Sequence, residues 1–383
     1  MIGAVIVGEH SERRVLGVPV VLRGVLALQA AGASEVLLVG VRAPSHVDTV
    51  RADDRVRVTI SARESWPADT VVVAEGVVVD TKAVRATVAA GPGATVFTGE
   101  SVWLSYECDA GRELGTKPGI PVAEGVTVAV RDDESASHAT RSLLASLRKP
   151  QDGWISKLIN RRISLATTRL LVPTGIKPNQ LSVFILAIGL YGAWLASRGT
   201  AAALAWGGVL FQLQSILDGC DGELSRLSFR GSKTGEWLDT VGDDLTNYAF
   251  FGGAAIGLNR MGLGVLPLVL GGIGVVLGVI TSGIEYRYLI SIGSGDLLKY
   301  PLGFGNDPEP VKESGPVAKI LGALRPAFKR DFFVFLAMLM ALAGAWTTLV
   351  MLALFVGGAV ATFSAVVASE VRRAGEPKAS SSS

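Results

Sequence analysis

Four aspartates in one short stretch are the residues of this 383-residue chain best placed to do chemistry. The segment SILDGCDGELSRLSFRGSKTGEWLDTVGDDL sets Asp218 and Asp221 three residues apart, and Asp239 and Asp243 four apart. Residues at those spacings share one face of a helix, so each pair presents its carboxylates together. If the two helices are neighbours, four anions converge, and they repel one another unless cations sit among them. Hard oxygen ligands suit Mg²⁺ or Mn²⁺, and two such ions about 3.5–4 Å apart are an arrangement that handles phosphoryl groups. The competing use of these aspartates is pairing with Arg226, Arg230 and Lys233, or capping of helices. Four carboxylates at this spacing, beside Gly222 and Gly235, exceed what capping needs.

The elements that carry them belong in or beside a lipid bilayer. Hydrophobic residues make up 49% of the chain and charged residues 18%, with a mean hydropathy of +0.43; soluble domains carry about 25% charge. The net charge of +2 leaves no broad footprint for nucleic acid. Two cysteines far apart, Cys108 and Cys220, make neither a disulfide framework nor a zinc site. The opening MIGAVIVGEHSERR lacks the basic start and apolar core of a secretory signal.

Hydropathy divides the chain near residue 150. Before it, β-branched runs at Gly3–Val7, Val36–Val41, Val56–Ile60, Val71–Val73 and Val126–Val130 alternate with helical stretches such as Val20–Ala31. This pattern predicts a three-layer α/β domain with a mostly parallel sheet over residues 1–140, and none of its apolar runs is long enough to cross a bilayer. Residues 141–180 interleave Trp154, Ile155, Leu158, Ile159 and Ile163 with Lys157, Arg161 and Arg162, which predicts an amphipathic helix lying in the membrane interface. Residues 181–370 are expected to form a six-span α-helical transmembrane domain, with spans near Leu181–Ser197, Ala201–Leu217, Trp237–Leu258, Leu263–Gly283, Phe332–Ala345 and Thr347–Ser369. Residues 371–383 read as a disordered tail. Lys and Arg gather before the first span, in the loops Asp218–Glu236 and Ile284–Asp331, and in the tail, whereas the other side has only Arg198 and Arg260. The positive-inside rule then puts both termini and the aspartates on the cytoplasmic side of the cytoplasmic membrane.

At the aspartates the sequence resembles a known family. Asp218, Asp221-Gly222, Arg226, Gly235, Asp239 and Asp243 are similar to the signature D-x-x-D-G-x-x-A-R-x8-G-x3-D-x3-D of the CDP-alcohol phosphotransferases. Ser225 stands where the family has Ala. The resemblance covers about residues 150–370 and implies a membrane enzyme that moves a substituted phosphate group from a CDP-linked donor to an acceptor hydroxyl, releasing CMP, in phospholipid or inositol-phosphate-type biosynthesis. It implies that Asp218, Asp221 and Asp239 hold two Mg²⁺ or Mn²⁺ ions on the donor diphosphate. Asp243 would complete the second metal site and serve as general base. Gly222, Arg226 and Gly235 would meet the nucleotide, and Asn179 of Lys177-Pro178-Asn179 would stand near it. The implied donor is CDP-diacylglycerol or CDP-inositol, and the acceptor a polar alcohol or alcohol phosphate. Arg287, Lys329 and Arg330 at the cytoplasmic mouth are candidates to bind that acceptor. Membrane lipids and a second copy of the chain, as a homodimer, are the other expected partners.

The N-terminal half resembles a nucleotidyltransferase domain of the kind that some two-domain members of this family carry, notably those that make CDP-inositol and then di-inositol phosphate. The place of the triphosphate loop reads Gly8-Glu9-His10-Ser11-Glu12-Arg13, without a run of glycines. Val20 stands where a Lys would be expected, and Glu75 is the acidic residue after the strand Val71–Val73. Glu9 and Glu12 would repel a triphosphate, so the domain is expected to be degenerate. Two other readings stand beside this one: a bifunctional enzyme whose N-terminal half makes the CDP-alcohol, and a cation-coupled transporter. The second would call for internal repeats and midplane polar residues, and the aspartates lie instead at the ends of spans.

Overall fold

The computed structural model describes residues 1–98, 101–107, 109–111, 114, 120–148, 152–301 and 329–375. Cys108, Lys312, Lys319, Arg325, Lys378 and the rest of the tail beyond residue 375 lie outside the described residues. The chain divides into two compact units, one of Met1–Pro150 with Thr167–Ile176 and Glu223–Arg230, the other of Gln151–Ala166, Lys177–Gly222 and Gly231–Ser383.

The first unit is built on a seven-stranded sheet. Its strands are β1 (Ile2–Ile6), β4 (Glu35–Val39), β5 (Thr59–Arg63), β6 (Thr70–Val73), β8 (Ala94–Thr98), β9 (Ser101–Glu107) and β10 (Ile120–Pro121), in the order β10-β8-β9-β6-β1-β4-β5. Strands β1, β4, β5 and β6 run parallel, while β9 is antiparallel to both neighbours. Two small ribbons flank it: β2 (Arg14–Val15) with β3 (Val18–Pro19), and β7 (Val77–Val79) with β11 (Thr127–Ala129). Helices α1 (Val20–Ala30), α2 (Ala43–Arg51) and α3 (Thr81–Ala90) bury their apolar faces against Val5, Val36, Leu38, Val71 and Val73. A fourth helix, α4 (Asp133–Ser146), packs on β2 and β11.

The α/β expectation holds, with two corrections. Among the described residues the helices packed on the sheet lie on one face, so the arrangement is not three-layered; the opposite residues Ala4, Leu37, Val39 and Val72 meet Trp66 and Leu114 instead. Successive right-handed crossovers that step the same way along a sheet put their helices on the same side, and β1-α1-β4-α2-β5 steps one way throughout. The run Val126–Val130 pairs with β7 outside the main sheet, and the expected strand at Val56–Ile60 begins later, at Thr59.

The second unit is helical. A π-helical turn at Ser156–Asn160 leads into α5 (Arg161–Leu171), followed by α6 (Pro178–Ala196), α7 (Ala201–Ser228), α8 (Lys233–Leu258), α9 (Leu266–Ser291), α10 (Arg330–Ala343) and α11 (Ala345–Gly375). Phe211, Phe250, Phe251 and Phe355 stack at its centre. Gly253 and Gly257 of α8 press against the carbonyls of Ala193 and Ala196 on α6, the close backbone approach that small residues permit between helices. Three helices, α6, α9 and α11, are long and apolar enough to cross a membrane. In α7 and α8 the aspartates, with Gln212 and Gln214, displace apolar residues, and α10 is short.

The helix ends correct several boundaries. Asp218–Glu236 is not a loop: α7 runs to Ser228 and α8 begins at Lys233. The last carbonyls of α7 have built-in donors, since Arg23 Nη1 reaches Leu227 O at 3.3 Å and Arg55 Nη1 reaches Ser228 O at 3.1 Å. Phe229 then leaves the helix in the left-handed region, φ +55°, a usual helix stop. Helix α9 extends through Ser291 into the expected loop, and α11 continues to Gly375, into what reads as tail. The helix expected in the membrane interface is interrupted, by the π-turn before α5 and a 3₁₀ turn at Val172–Thr174 after it. Trp154, Leu158, Ile163 and Leu170 are exposed along this stretch.

Candidate active site

Asp218 and Asp221 lie on α7, and Asp239 and Asp243 on α8. The packing of these helices brings one carboxylate oxygen from each of Asp218, Asp221 and Asp239 within 4.8 Å of one another. Of the three, Asp221 is buried, Asp218 half-buried and Asp239 exposed, so the cluster grades from interior to surface. Asp243 lies outside this group of three and faces Arg330, whose Nη2 is 2.6 Å from Asp243 Oδ1 without hydrogen-bond alignment. The Nη1 of Arg330 is 3.4 Å from Asp218 Oδ2. One guanidinium on α10 therefore touches a carboxylate on each of the two acidic helices.

The donor set fits a divalent ion. It consists of carboxylate oxygens, the ligands that hard cations prefer, and Asp243 Oδ1 is a buried oxygen without a hydrogen-bond partner among the described residues. Three carboxylates held this close repel one another unless a cation sits among them, so the convergence of Asp218, Asp221 and Asp239 marks a place for one.

Other expected residues fall into three groups. Asn179 and Gly235 do come together: a Cβ on Gly235 would stand 2.9 Å from Asn179 Oδ1, so the glycine makes room for the amide. At Gly222, the backbone N–H donates to the Asp221 carboxylate at 2.6 Å. Arg226 lies on α7 beyond the aspartates. Lys329 and Arg330 line a cavity of about 290 Å³ with Asp218, Asp152, Arg161, Asn160 and Asp331. Arg287 is not among them; it is largely exposed and pairs with Glu370 of α11 at 3.6 Å. Glu370 also accepts from Tyr300 and Arg373, and burial followed by the bond to Glu370 pushes the Tyr300 phenol up to about 12.

The walls of the cavity are fastened by contacts that spacing along the chain does not reveal. Arg161 donates twice to Asp152, at 2.9 and 3.1 Å. The Ser156 backbone N–H donates to Asp331 at 2.8 Å, and Gly153 leaves the space that the Asp331 carboxylate occupies. Asp244, off the face of Asp239 and Asp243 by helical phase, accepts from Ser282 at 2.5 Å and Tyr286 at 2.7 Å on α9, bracing that helix pair. Ser182 of α6 donates to Asp221; it lies far from the motif in sequence, and no spacing signal points to it.

In the first unit the loop after β1 is occupied by the protein itself. The His10 backbone N–H donates to Glu75 Oε1 at 2.6 Å, Arg131 holds Glu75 Oε2 at 2.7 Å, and the Gly8 backbone N–H donates to Ser11. Glu12 pairs with His46 at 2.8 Å.

Residues 176–299 match the family model described as CDP-alcohol phosphatidyltransferase. The chain is 39% identical over 107 residues to the bifunctional IPC transferase and DIPP synthase of Aquifex aeolicus, covering 28% of this chain and 24% of the relative. It is 37% identical over 118 residues to the protein of the same name from Thermococcus kodakarensis, covering 30% and 26%. The chain thus spans about a quarter of the length of these curated relatives. Among solved structures, the crystal structure of Mycobacterium tuberculosis phosphatidylinositol phosphate synthase with CDP-DAG bound is 18% identical, covers 54% of this chain and 93% of that one, and gives a TM-score of 0.40.

Proposed function

Since the chain carries a CDP-alcohol phosphatidyltransferase domain over residues 176–299, we propose that it transfers a substituted phosphate group from a CDP-linked donor to an acceptor hydroxyl and releases CMP. The observation that carries this reading is the convergence of Asp218, Asp221 and Asp239 from two helices, with Asp243 alongside. Asp218, Asp221 and Asp239 would hold the divalent metal, and Asp243 would complete the site. When bound, the ions neutralise charge on the donor diphosphate and stabilise the departing CMP.

The chain's own residues do the rest. Asp243 takes the proton of the acceptor hydroxyl as the new oxygen–phosphorus bond forms and the bond to CMP breaks. Arg330 pairs with this carboxylate at 2.6 Å and holds it in place. Arg226 and Asn179 meet the nucleotide, and Gly222 and Gly235 keep space for it. The cavity beside Asp218, with Lys329 and Arg330 in its wall, receives a polar alcohol or alcohol phosphate. The helices α6 to α11 cross the membrane six times with both termini and the site cytoplasmic, and the protein assembles as a homodimer.

The first unit is a nucleotidyltransferase-like domain without activity. Glu75 supports this, because it takes the His10 backbone amide in the loop where a triphosphate would sit and brings a negative charge there. CDP-inositol and CDP-diacylglycerol are the two donors to test. Purified full-length protein with labelled donor, acceptor and Mn²⁺ is expected to release CMP, and Asp243→Asn to abolish release. Persistence of release in both Asp239→Ala and Asp243→Asn refutes the assignment.

A further inference from the structure

Asp221 is the most buried of the three converging carboxylates, with 6% of its surface exposed. Its two oxygens are held differently. Oδ1 accepts the Gly222 backbone N–H, and Oδ2 accepts the hydroxyl of Ser182 on the first turns of α6. A serine has one hydroxyl proton, and the Pro178 carbonyl at 3.2 Å is its other acceptor in reach. The anionic carboxylate is the stronger of the two acceptors, so the proton lies toward Asp221.

The same part of α6 touches the other acidic helix. Asn179, three residues before Ser182, lies over Gly235 at the start of α8. Two side chains one turn apart therefore contact α7 at Asp221 and α8 at Gly235. We propose that Ser182 is a positioning residue for the metal site: its hydroxyl fixes the Asp221 carboxylate in the rotamer that faces Asp218 and Asp239. A carboxylate held at both oxygens by donors from different elements does not have to reorganise when an ion arrives, and losing such an outer partner typically weakens metal binding about 10–100-fold. This inference rests on the metal-dependent reading above.

The test is Mn²⁺ affinity of the full-length protein, read from the electron paramagnetic resonance signal of unbound Mn²⁺ during titration. Ser182→Ala is expected to weaken Mn²⁺ binding about tenfold or more. It should raise the Mn²⁺ concentration for half-maximal CMP release by a similar factor, and leave KM for the CDP donor unchanged at saturating Mn²⁺. Ser182→Thr, which keeps the hydroxyl, should restore both quantities. If Ser182→Ala does not fold, Ser182→Cys, a poor donor of similar size, carries the same expectation. Unchanged Mn²⁺ affinity in the folded variant overturns the proposal, and a raised donor KM with unchanged Mn²⁺ affinity overturns it in favour of a nucleotide contact. Asp221→Asn is titrated alongside. Loss of Mn²⁺ binding there with none in Ser182→Ala sinks only the positioning role, whereas full binding in Asp221→Asn removes the metal reading and this proposal with it.

Discussion

Two regions of the molecule place carboxylates beside glycines, and they use them in opposite ways. In the loop after β1, Glu75 enters the backbone amides near Gly8 and is held there by Arg131 and the His10 N–H. Between α7 and α8, three carboxylates point at one another within 4.8 Å, and a fourth, Asp243, faces Arg330. The first arrangement satisfies its charge with the chain's own donors. The second holds like charges together, an arrangement unfavourable by itself and therefore one that anticipates a cation. This contrast is the reason the proposed catalytic centre is assigned to α7 and α8.

The contrast breaks most directly at the aspartates. Asp243→Asn keeps shape but loses the base, and CMP release should fall by about 10²–10⁴-fold, measured with saturating donor and Mn²⁺. Asp239→Ala removes a ligand and should reduce release at least as far. At Gly235→Ala, a Cβ would press into Asn179, so either the amide moves or α8 shifts. A loss of about tenfold in kcat/KM, recovered in part by Asn179→Ala in the double variant, is the expected pattern. By contrast, Glu75→Gln should leave CMP release within about twofold and should not create pyrophosphate release from CTP with an inositol phosphate. A gain of that second activity would mean that Glu75 blocks a competent nucleotide site, and the comparison would fail on its N-terminal side.

The aspartates were legible because helical phase is written in local spacing: three and four residues are the only separations that keep carboxylates on one face over one turn. The strand runs Gly3–Val7 and Val71–Val73 were legible for the same reason, being continuous β-branched stretches buried in a parallel sheet and matching β1 and β6 within a residue or two. What spacing cannot carry is a partner from another element. Ser182 meets Asp221 from 39 residues away, and Asp331 meets Ser156 from 175 away. The length of α7 escaped for a related reason. Its polar C-terminal turns look like a loop until Arg23 and Arg55 supply donors for its last carbonyls.

The smallest effect concerns that fastening of α7. Asp53 accepts from Arg55 Nε and Nη2, each at 2.7 Å, and the same guanidinium reaches the Ser228 carbonyl through Nη1. The side-chain hydrogen bonds of Arg55 hold the Asp53 carboxyl below the usual carboxylate range. A folded-state value below the unfolded one, about 3.9, means that Asp53 contributes stability above the unfolded value and loses it as pH falls through the folded one. Asp53→Asn should therefore lower stability by about 1 kcal/mol at pH 7, the scale of a partly exposed pair. The difference should shrink progressively below about pH 4. Thermal unfolding of the two proteins across that range, in one detergent and at fixed salt, reads the gap directly. A gap that stays constant as the pH falls would mean that Asp53 acts through shape and not through charge, leaving Arg55 to hold the end of α7 without it.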